Sequence, residues 1–300
     1  MAAVHLRRSL HFVPGANDKM FLKSLASGAD SLILDLEDAV TPQKKDDARQ
    51  VIKDWLNSAD FSGKEKTVRI NPIDSPWGLK DIEVVMQGHP DSLVIPKVSS
   101  YQELQTLDDA LTHWESQLEL QEKSVNLILI TTETPASILN LPSFTDCERV
   151  AALSWGAEDL AASLGSTRNR GPDGSYLDIY KHCRNMTLIC AAAGNVQPID
   201  TVFVDFKDSK GLQKDCEEAS WMGYTGKMTI HPDQLEVVNA AFSPGETEVS
   251  TAKRLIEAFA EAEKQGLMAI AFEGQMVDLP HLNRAKKLLA RAELIEQVLS

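Results

Sequence analysis

Short apolar runs typical of β-strands alternate with amphipathic segments along most of the chain. The runs are rich in Val, Ile, Leu and Thr, and the segments between them repeat their apolar residues at helical spacing. The eight runs span residues 9–13, 31–38, 67–71, 92–98, 127–132, 150–156, 201–205 and 226–231. Eight strands that alternate with helices predict an α/β protein that folds as a parallel (β/α)8 TIM barrel. Neither G-x-G-x-x-G nor G-x-x-x-x-G-K-[ST] occurs, so a doubly wound nucleotide-binding fold is the weaker alternative.

The last part of the chain extends beyond the predicted barrel. We expect residues 1–245 to form the barrel, and residues 246–300 to form a C-terminal helical extension and lid. Residues 272–280 carry apolar side chains together with the acid Asp278, and such a segment needs a surface to cover. Packing over a barrel mouth, its own or a neighbour's, would bring Asp278 to the substrate. In the alternative, the segment is a plain linker, and Asp278 caps a helix that starts near His281.

Charge and cysteine usage restrict the partners and the compartment. The net charge of -14 argues against nucleic acid and anionic membranes as partners. No apolar run reaches the length of a membrane span. The four cysteines form no C-x-x-C pair, and this usage fits buried thiols in a reducing compartment. We therefore expect a cytoplasmic protein. Arg7 and Arg8 leave a mitochondrial protein with a trimmed transit peptide as the alternative.

Charged side chains stand where the predicted strands end. Barrel active sites form at the C-terminal ends of the strands, so these positions and the mixture of acids and cations predict an enzyme. We expect His231, which precedes Pro232, to support the end of strand eight rather than to catalyse. The other residues are Glu37 and Asp38 after strand two, Arg69 in strand three, Lys97 in strand four, Glu133 after strand five and Asp159 after strand six.

Glu133 and Asp159 follow neighbouring parallel strands, and their carboxylates are predicted to converge. Two carboxylates at that spacing repel each other unless a cation lies between them. Oxygen ligands with open coordination positions suit Mg²⁺, which keeps waters or substrate oxygens. The sequence therefore predicts a Mg²⁺ site. The alternative is that the two acids cap the helices that follow them.

The two cations of the predicted site leave alternatives open. Arg69 either binds a substrate carboxylate through two hydrogen bonds or forms a buried ion pair with Asp35 or Glu37. Lys97 either forms a Schiff base, as in metal-free aldolases, or pairs with Glu37 or Asp38. We favour the pairing, because a metal site already supplies the electrophile.

Several motifs, in order along nearly the whole chain, resemble the family of the citrate lyase beta subunit. They are R-S-L-H-F-V-P-G (8–15), D-L-E-D-A-V (35–40), R-I-N-P (69–72), V-I-P-K (94–97), E-T (133–134), W-G-A-E-D-L (155–160) and G-K-M-T-I-H-P-D-Q (226–234). The segment F-E-G-Q-M-V-D-L-P (272–280) resembles the tail of stand-alone members, which include citramalyl-CoA and malyl-CoA lyases. His11 departs from the family pattern, which has an aliphatic or aromatic residue there.

This resemblance implies a Mg²⁺-dependent barrel enzyme that makes or breaks a carbon–carbon bond between an acyl-CoA thioester and a 2-keto acid. It implies Glu133 and Asp159 as metal ligands and Arg69 as a contact of the substrate carboxylate. It also implies a homotrimer in which Asp278 reaches a neighbour's active site. The predicted catalytic residues are then Asp278, Arg69, Glu37 and Asp38, and the predicted substrate contacts are Arg69, Glu133, Lys97 and Lys19.

The main functional prediction is a lyase that acts on a substrate such as citramalyl-CoA or malyl-CoA and yields acetyl-CoA and a 2-keto acid. The phosphates of CoA need cations at the rim of the site, and Lys19, Arg168 and Arg170 are the candidates. One alternative is a thioesterase or malate-synthase-like hydrolase in which Asp278 activates water. Another is a non-catalytic subunit, although both predicted metal ligands and Arg69 are present.

Overall fold

The computed structural model describes residues 5–299. The chain divides into two compact units, Met1–Asn239 and Ala240–Ser300. Within residues 5–299, no helix has both the length and the apolar character needed to cross a membrane.

Eight parallel strands in the first unit form a closed barrel, in which each strand pairs with the next and β8 returns to β1. The pairing Leu10↔Met228 lies at this closure. The predicted (β/α)8 TIM barrel is therefore confirmed. The strands are β1 (Ser9–Pro14), β2 (Ser31–Asp35), β3 (Glu65–Arg69), β4 (Ser92–Ile95), β5 (Asn126–Thr131), β6 (Val150–Trp155), β7 (Gln197–Asp200) and β8 (Gly226–Thr229).

Helices follow the strands and cover the outside of the barrel. Short 3₁₀ turns precede or follow several of them, at Pro42–Lys44, Met86–Gly88, Leu141–Asp146 and Pro232–Gln234. These helices are α1 (Asp18–Leu25), α2 (Lys45–Ser58), α3 (Gly78–Val85), α4 (Tyr101–Gln117), α5 (Pro135–Asn140), α6 (Ala157–Leu164), α7 (Asp178–Ala193), α8 (Ser209–Met222) and α9 (Leu235–Ala241). The second unit contributes two more helices, α10 (Glu246–Lys264) and α11 (Leu279–Leu299).

Strands such as β2 and β5 are apolar on both faces because the barrel has two cores. In β2, Leu32 and Leu34 pack in the layer between strands and helices, whereas Ile33 points into the barrel interior. Successive side chains of a strand alternate between faces, so a strand buried on both sides needs a continuous apolar run. This requirement explains why S-L-I-L-D and similar runs were recognisable in the sequence.

The seventh strand is not where the sequence predicted it. The predicted run at 201–205 lies in the loop after β7. Pro198 made the true strand a poor candidate, because proline lacks the N–H that a central strand uses in its ladder. Here the Pro198 carbonyl accepts a hydrogen bond from the Thr225 N–H at 2.9 Å, and a four-residue strand pairs with both β6 and β8. Of the residues that follow, Val202 packs against the inner core at the end of the strand, whereas Val204 is exposed.

The second unit contains α10, α11 and an antiparallel hairpin of β9 (Ala269–Phe272) and β10 (Gln275–Asp278). The sequence predicted an appended element with a final helix here but not the hairpin. Glu273 and Gly274 join the two strands with φ of 48° and 80°, the left-handed backbone that two-residue hairpin loops require. Val277 is buried with Phe259 in the core of this unit. The role of the unit as a lid stays a prediction.

Candidate functional site

A cavity of about 450 Å³ lies at the C-terminal ends of the barrel strands. Apolar side chains at the end of the inner core form its floor, namely Phe12, Ile130, Val202 and Met228. Most of the charged residues predicted from the strand ends line it or contact residues that do, and these are Glu37, Asp38, Arg69, Lys97, Glu133 and Asp159. The barrel therefore gathers in one place side chains that are far apart in the sequence.

Arg69, the last residue of β3, forms an ion pair with the last residue of β2. Its Nε and Nη2 each donate to an Asp35 carboxylate oxygen at 2.7 Å. Its Nη1 lies 2.9 Å from Glu37 Oε2, without the alignment of a hydrogen bond. Burial alone would lower the pKa of Arg69, but the bonds to Asp35 raise it above its usual range. The ion pair proposed as an alternative is thus present. A guanidinium has five N–H donors, so some remain for a ligand.

Lys97 pairs with acids, as the sequence analysis favoured. Its Nζ lies 2.5 Å from Glu37 Oε1, 3.3 Å from Asp159 Oδ1 and 3.8 Å from Asp38 Oδ2. Burial by itself lowers the pKa of Lys97, but the hydrogen bond and charge of Glu37 raise it above its usual range. A Schiff base requires the neutral amine, so this environment disfavours a metal-free aldolase mechanism.

Glu133 is a buried acid in a negatively charged environment. Its side chain is almost fully buried, and Oε2 accepts a hydrogen bond from the Lys97 N–H at 2.5 Å. Burial, followed by repulsion from Asp159 and Glu37, raises its pKa well above the usual range. Gly156 makes room for it, since a Cβ at that position would lie 2.5 Å from Glu133 Cγ.

The residues present fit a Mg²⁺ ion. Glu133 and Asp159 offer only oxygen atoms as ligands. The ionised form of Glu133 is disfavoured by burial and by the neighbouring acids, and a nearby divalent cation would stabilise it. Within residues 5–299, no cluster of three or more His, Cys, Asp or Glu side chains has the arrangement of a metal site. A pair of carboxylates is nevertheless enough for Mg²⁺, which usually completes its coordination with waters and substrate oxygens.

Two residues around Glu133 have strained backbones. Lys97 and Thr132 have φ of 54° and 62°, in the left-handed region that side chains other than glycine rarely adopt. Each lies just past the end of a barrel strand, beside Glu133 or in contact with it. Such strain persists only where the surrounding structure holds it, and it is concentrated at functional sites.

Sequence reasoning missed the side chains that hold the site in place. Lys45 donates to the Leu36 and Glu37 carbonyls at 2.8 and 2.9 Å and so fixes the turn that carries Glu37. Trp155, in the cavity wall, donates its indole N–H to Asp200 at 2.8 Å. Lys45 lies seven residues beyond the acids of D-L-E-D, and a lysine on the buried face of α2 was the signal available.

A buried ionic cluster supports Trp155. Lys227 donates to Asp200 at 2.7 Å and to Asp215 at 2.6 Å, and Arg184 donates to Asp200 at 3.0 Å. Burial opposes ionisation of Asp200, but the charges of Lys227 and Arg184 lower its pKa to about 2. Lys227 was visible only as part of the G-K-M-T-I-H motif. These residues brace the cavity wall and do not line the cavity.

Several predicted residues lie away from the acids or are engaged elsewhere. Lys19 is exposed on α1 and Arg168 is exposed in the loop after α6, and neither is among the residues that line the cavity. Arg170 stacks 3.6 Å above the Tyr176 ring. His231 accepts from the Asp233 N–H at 3.3 Å at the start of a 3₁₀ turn, which is a supporting contact of the kind expected.

His11 and Asp278 also have defined partners. His11 is buried in the barrel wall, with Nδ1 3.0 Å from Thr229 Oγ1, and burial lowers its pKa to about 4. It is therefore a neutral packing residue that joins β1 to β8. Asp278 is the last residue of β10 in the second unit, and its carboxylate lies 2.6 Å from His281 Nδ1. The placement of Asp278 at a metal site stays a prediction.

Comparison with known families and proteins points in one direction. The family model described as HpcH/HpaI aldolase/citrate lyase matches residues 8–232. A (3S)-malyl-CoA thioesterase of Cereibacter sphaeroides is 35% identical over 294 residues, which are 97% of this chain and 96% of that protein. The mitochondrial citramalyl-CoA lyase of Homo sapiens is 34% identical over 97% of this chain and 87% of its own.

Solved structures show the same similarity. The protein CitE from Mycobacterium tuberculosis, in complex with magnesium, acetoacetate and coenzyme A, superposes with a TM-score of 0.77 at 29% identity. The match covers 96% of this chain and 98% of that chain. A further relative, the citrate lyase subunit beta of Haemophilus influenzae, is 35% identical over 96% of this chain and 97% of its own.

Proposed function

Because the chain belongs to the HpcH/HpaI aldolase/citrate lyase family, we propose that it is a Mg²⁺-dependent carbon–carbon lyase. Its substrate is a 3-hydroxyacyl-CoA such as citramalyl-CoA or malyl-CoA, and its products are acetyl-CoA and a 2-keto acid. The same site forms the bond when the concentrations favour synthesis. Support for the substrate class comes from the relatives that are named for such thioesters.

One observation carries this proposal: the buried carboxylate of Glu133 lies among other acids in the cavity at the mouth of the barrel, which Arg69 also lines. Such a group is costly to ionise unless a cation binds it. Glu133 and Asp159 would hold Mg²⁺, which when bound polarises oxygen atoms of the substrate as a Lewis acid. Arg69, which lines the same cavity, directs its remaining N–H groups to the substrate carboxylate.

Side chains of the site accept the proton of the substrate hydroxyl. Glu37 is our candidate for the base, because burial raises its pKa, although Arg69 and Lys97 oppose that rise. Glu37 takes the proton of the substrate hydroxyl, and the carbon–carbon bond breaks as the ketone forms. The electron pair of that bond leaves with the thioester fragment as an enolate, which then takes up a proton. Asp38, exposed beside Lys97, is a second acid within reach of this chemistry.

Product analysis tests the proposal. Purified protein with Mg²⁺ is incubated with citramalyl-CoA or malyl-CoA, and the CoA species and keto acids are separated and quantified. We expect acetyl-CoA and keto acid in equal amounts, and loss of both on addition of a chelator. Full activity in the chelator, or no cleavage of either thioester, would contradict the assignment.

A thioesterase is the second candidate, because a relative at 35% identity is named (3S)-malyl-CoA thioesterase. Hydrolysis breaks the carbon–sulfur bond with water and releases free CoA, whereas the lyase leaves acetyl-CoA intact. The same product analysis therefore separates the two. Free CoA in place of acetyl-CoA would favour the hydrolase.

We further propose a homotrimer in which Asp278 acts at the site of a neighbouring subunit and returns the proton to the enolate. The carboxylate of Asp278 is half exposed, and Met276, two residues before it, is 82% exposed on the hairpin. Support comes from these exposed groups and from the motif of residues 272–280. Sedimentation analysis tests the trimer. Mixed oligomers of the inactive variants Glu133→Gln and Asp278→Asn should regain partial activity, and failure of verified mixtures to do so excludes a shared site.

A further inference from the structure

Lys97 contacts both of the predicted metal ligands, through different atoms. Its backbone N–H donates to Glu133 Oε2 at 2.5 Å, and its Nζ lies 3.3 Å from Asp159 Oδ1. The same Nζ lies 2.5 Å from Glu37 Oε1, the shortest of its side-chain contacts. One residue therefore joins the proposed base, Glu37, to the two carboxylates that are proposed to hold Mg²⁺.

The backbone of Lys97 is held in the conformation that makes these contacts. Its φ of 54° lies in the left-handed region, which is costly for a residue with a side chain. Both of its backbone polar groups are engaged, because Glu133 accepts from the N–H and the Ser99 hydroxyl donates to the carbonyl at 3.1 Å. The side chain is only 29% exposed. Strain of this kind persists where the surrounding structure holds it, and it indicates a role in the site rather than a chance surface pairing.

An ammonium and a divalent cation are attracted to the same carboxylate oxygens. A cation that binds Asp159 gains less when that carboxylate is already paired, and two cations held close together repel each other. The Lys97 ammonium has other partners to which it can turn, because Glu37 is in direct contact and Asp38 Oδ2 lies 3.8 Å away. The contact with Asp159 is therefore one that the ammonium can give up without being left unpaired.

From these observations we infer that Lys97 is an internal cation that competes with Mg²⁺ for Asp159 and so limits the affinity of the site for the metal. In metal-free protein its ammonium stabilises carboxylates that otherwise repel one another. Metal binding displaces the ammonium from Asp159, and Lys97 then keeps its contact with Glu37. The inference rests on the metal site of the proposed function and adds to it a residue that is not a ligand. Loss of a ligand weakens metal binding, whereas loss of the Lys97 charge should tighten it.

Titration calorimetry with MgCl₂ on the full-length, metal-stripped protein tests the inference without turnover. Lys97→Met keeps the apolar stem and removes the charge, so the Kd for Mg²⁺ should fall about 10-fold or more, the smallest effect expected of one charge within ~4–6 Å. Lys97→Gln should show the same tightening, and Lys97→Arg, which keeps the charge, should not. Unchanged or weaker binding in both neutral variants would overturn the inference and leave the metal site intact. Absence of Mg²⁺ binding from the original protein and both neutral variants would contradict the metal site itself, and the inference with it.

A matched control separates the contact from the net charge of the protein. Lys80→Met removes one positive charge from an exposed position on α3, outside the cavity lining. At physiological ionic strength, exposed charges farther apart than about 8 Å are largely screened, so the Kd for Mg²⁺ should stay near its original value. Equal tightening in Lys80→Met and Lys97→Met would assign the effect to net charge and overturn the inference.

Unfolding measurements give a second readout. In a chelator, Lys97→Met should be less stable than the original protein to urea, because the neighbouring acids have lost their counter-charge. At one fixed concentration of Mg²⁺, the metal should raise the free energy of unfolding more in Lys97→Met than in the original protein, since tighter binding to the folded state stabilises it more. A loss of stability that is equal in the chelator and in Mg²⁺ would assign Lys97 a packing role and contradict the competition.

Discussion

The two ends of the barrel contain buried charges that are arranged in opposite ways. At the N-terminal ends of the strands, Arg7 donates to both oxygens of Glu65, at 2.8 and 2.6 Å, and the hydroxyls of Ser31 and Ser92 donate to Glu65 at 2.5 Å. At the C-terminal ends, Glu133 accepts one backbone N–H and faces other acids. Burial opposes ionisation at both ends. The pKa of Glu65 is nevertheless lowered, mainly by Arg7, whereas that of Glu133 is raised.

This contrast distinguishes a structural ion pair from the proposed ligand site. Strand β3 carries one of each, because Glu65 is its first residue and Arg69 is its last. The N-terminal cluster satisfies its charge within the chain. At the C-terminal end the cations Arg69 and Lys97 face more carboxylates than they can neutralise. An excess of buried negative charge is stable only when something positive binds there.

The largest effect on stability is expected from Arg7→Met. Removal of one partner of a buried pair leaves Glu65 uncompensated, so the free energy of unfolding should fall by about 3–5 kcal/mol. Urea denaturation followed by circular dichroism measures it. The matched control is Arg254→Met, which breaks an exposed pair with Glu273 and should cost at most about 1 kcal/mol. Equal losses of stability in the two variants would show that the buried Arg7–Glu65 pair stabilises the fold no more than an exposed pair does.

A substitution at the C-terminal ends of the strands should lower the activity rather than the stability. Glu133→Gln removes a predicted ligand charge, so we expect lyase activity to fall about 100-fold to 1,000-fold, the range seen when a preorganised electrostatic contact is lost. Mg²⁺ affinity should fall with it. The free energy of unfolding in a chelator should stay constant or rise, because a poorly tolerated acid has gone. Glu65→Gln is the matched control, and it should lose stability instead.

A smaller effect is expected from Arg69→Lys. Lysine keeps the charge but not the two-pronged geometry that reaches Asp35 and a substrate carboxylate together. We expect a loss of about 2 kcal/mol of transition-state stabilisation, which lowers kcat/KM roughly 30-fold. Circular dichroism must show a folded variant. If activity disappears only because the protein unfolds, then Arg69 belongs with the structural pairs of the other end.

The sequence predicted the C-terminal end of the barrel better than the N-terminal end. Acids that end recognisable apolar strands, such as Glu133, can be found from strand period and barrel rules alone. The Arg7–Glu65 pair was not predicted, because its partners are 58 residues apart and neither stands at the functional face. Asp200 was missed for another reason, namely that β7 contains Pro198 and was placed too late in the chain.

The choice of Asp35 as the partner of Arg69 could also not be predicted from the sequence. Asp35 was recognised as an alternative partner of Arg69, but only the parallel register Asp35↔Arg69 shows that the two strands place them side by side. Lys45 acts through contacts that depend on how α2 packs, and Trp155 acts through a contact between the ends of β6 and β7. A single sequence specifies neither. Local patterns therefore predict which face of a fold is functional, and tertiary contacts decide which residues hold it in place.

The last prediction concerns the pH dependence of stability, which should have opposite signs at the two ends. Glu65 has a lowered pKa in the folded state, so the stabilisation from its pair is present above the usual carboxyl pKa and is lost as the pH falls through the folded value. Arg7→Met removes the pair, and the stability gap between this variant and the original protein should narrow toward acid pH. A gap independent of pH would show that packing, rather than charge, accounts for the loss.

Glu133 should behave in the reverse way in metal-free protein. Its folded-state pKa is raised, so between the usual carboxyl pKa and that value the folded chain holds a proton that the unfolded chain has released. The free energy of unfolding therefore falls as the pH rises through this interval, and Glu133→Gln lacks this decline. Urea denaturation in a chelator at several pH values should show the Gln variant gaining on the original protein as the pH rises. A gain that disappears toward acid pH would identify the ionised Glu133 as the destabilising group, whereas a constant gain would assign the difference to packing.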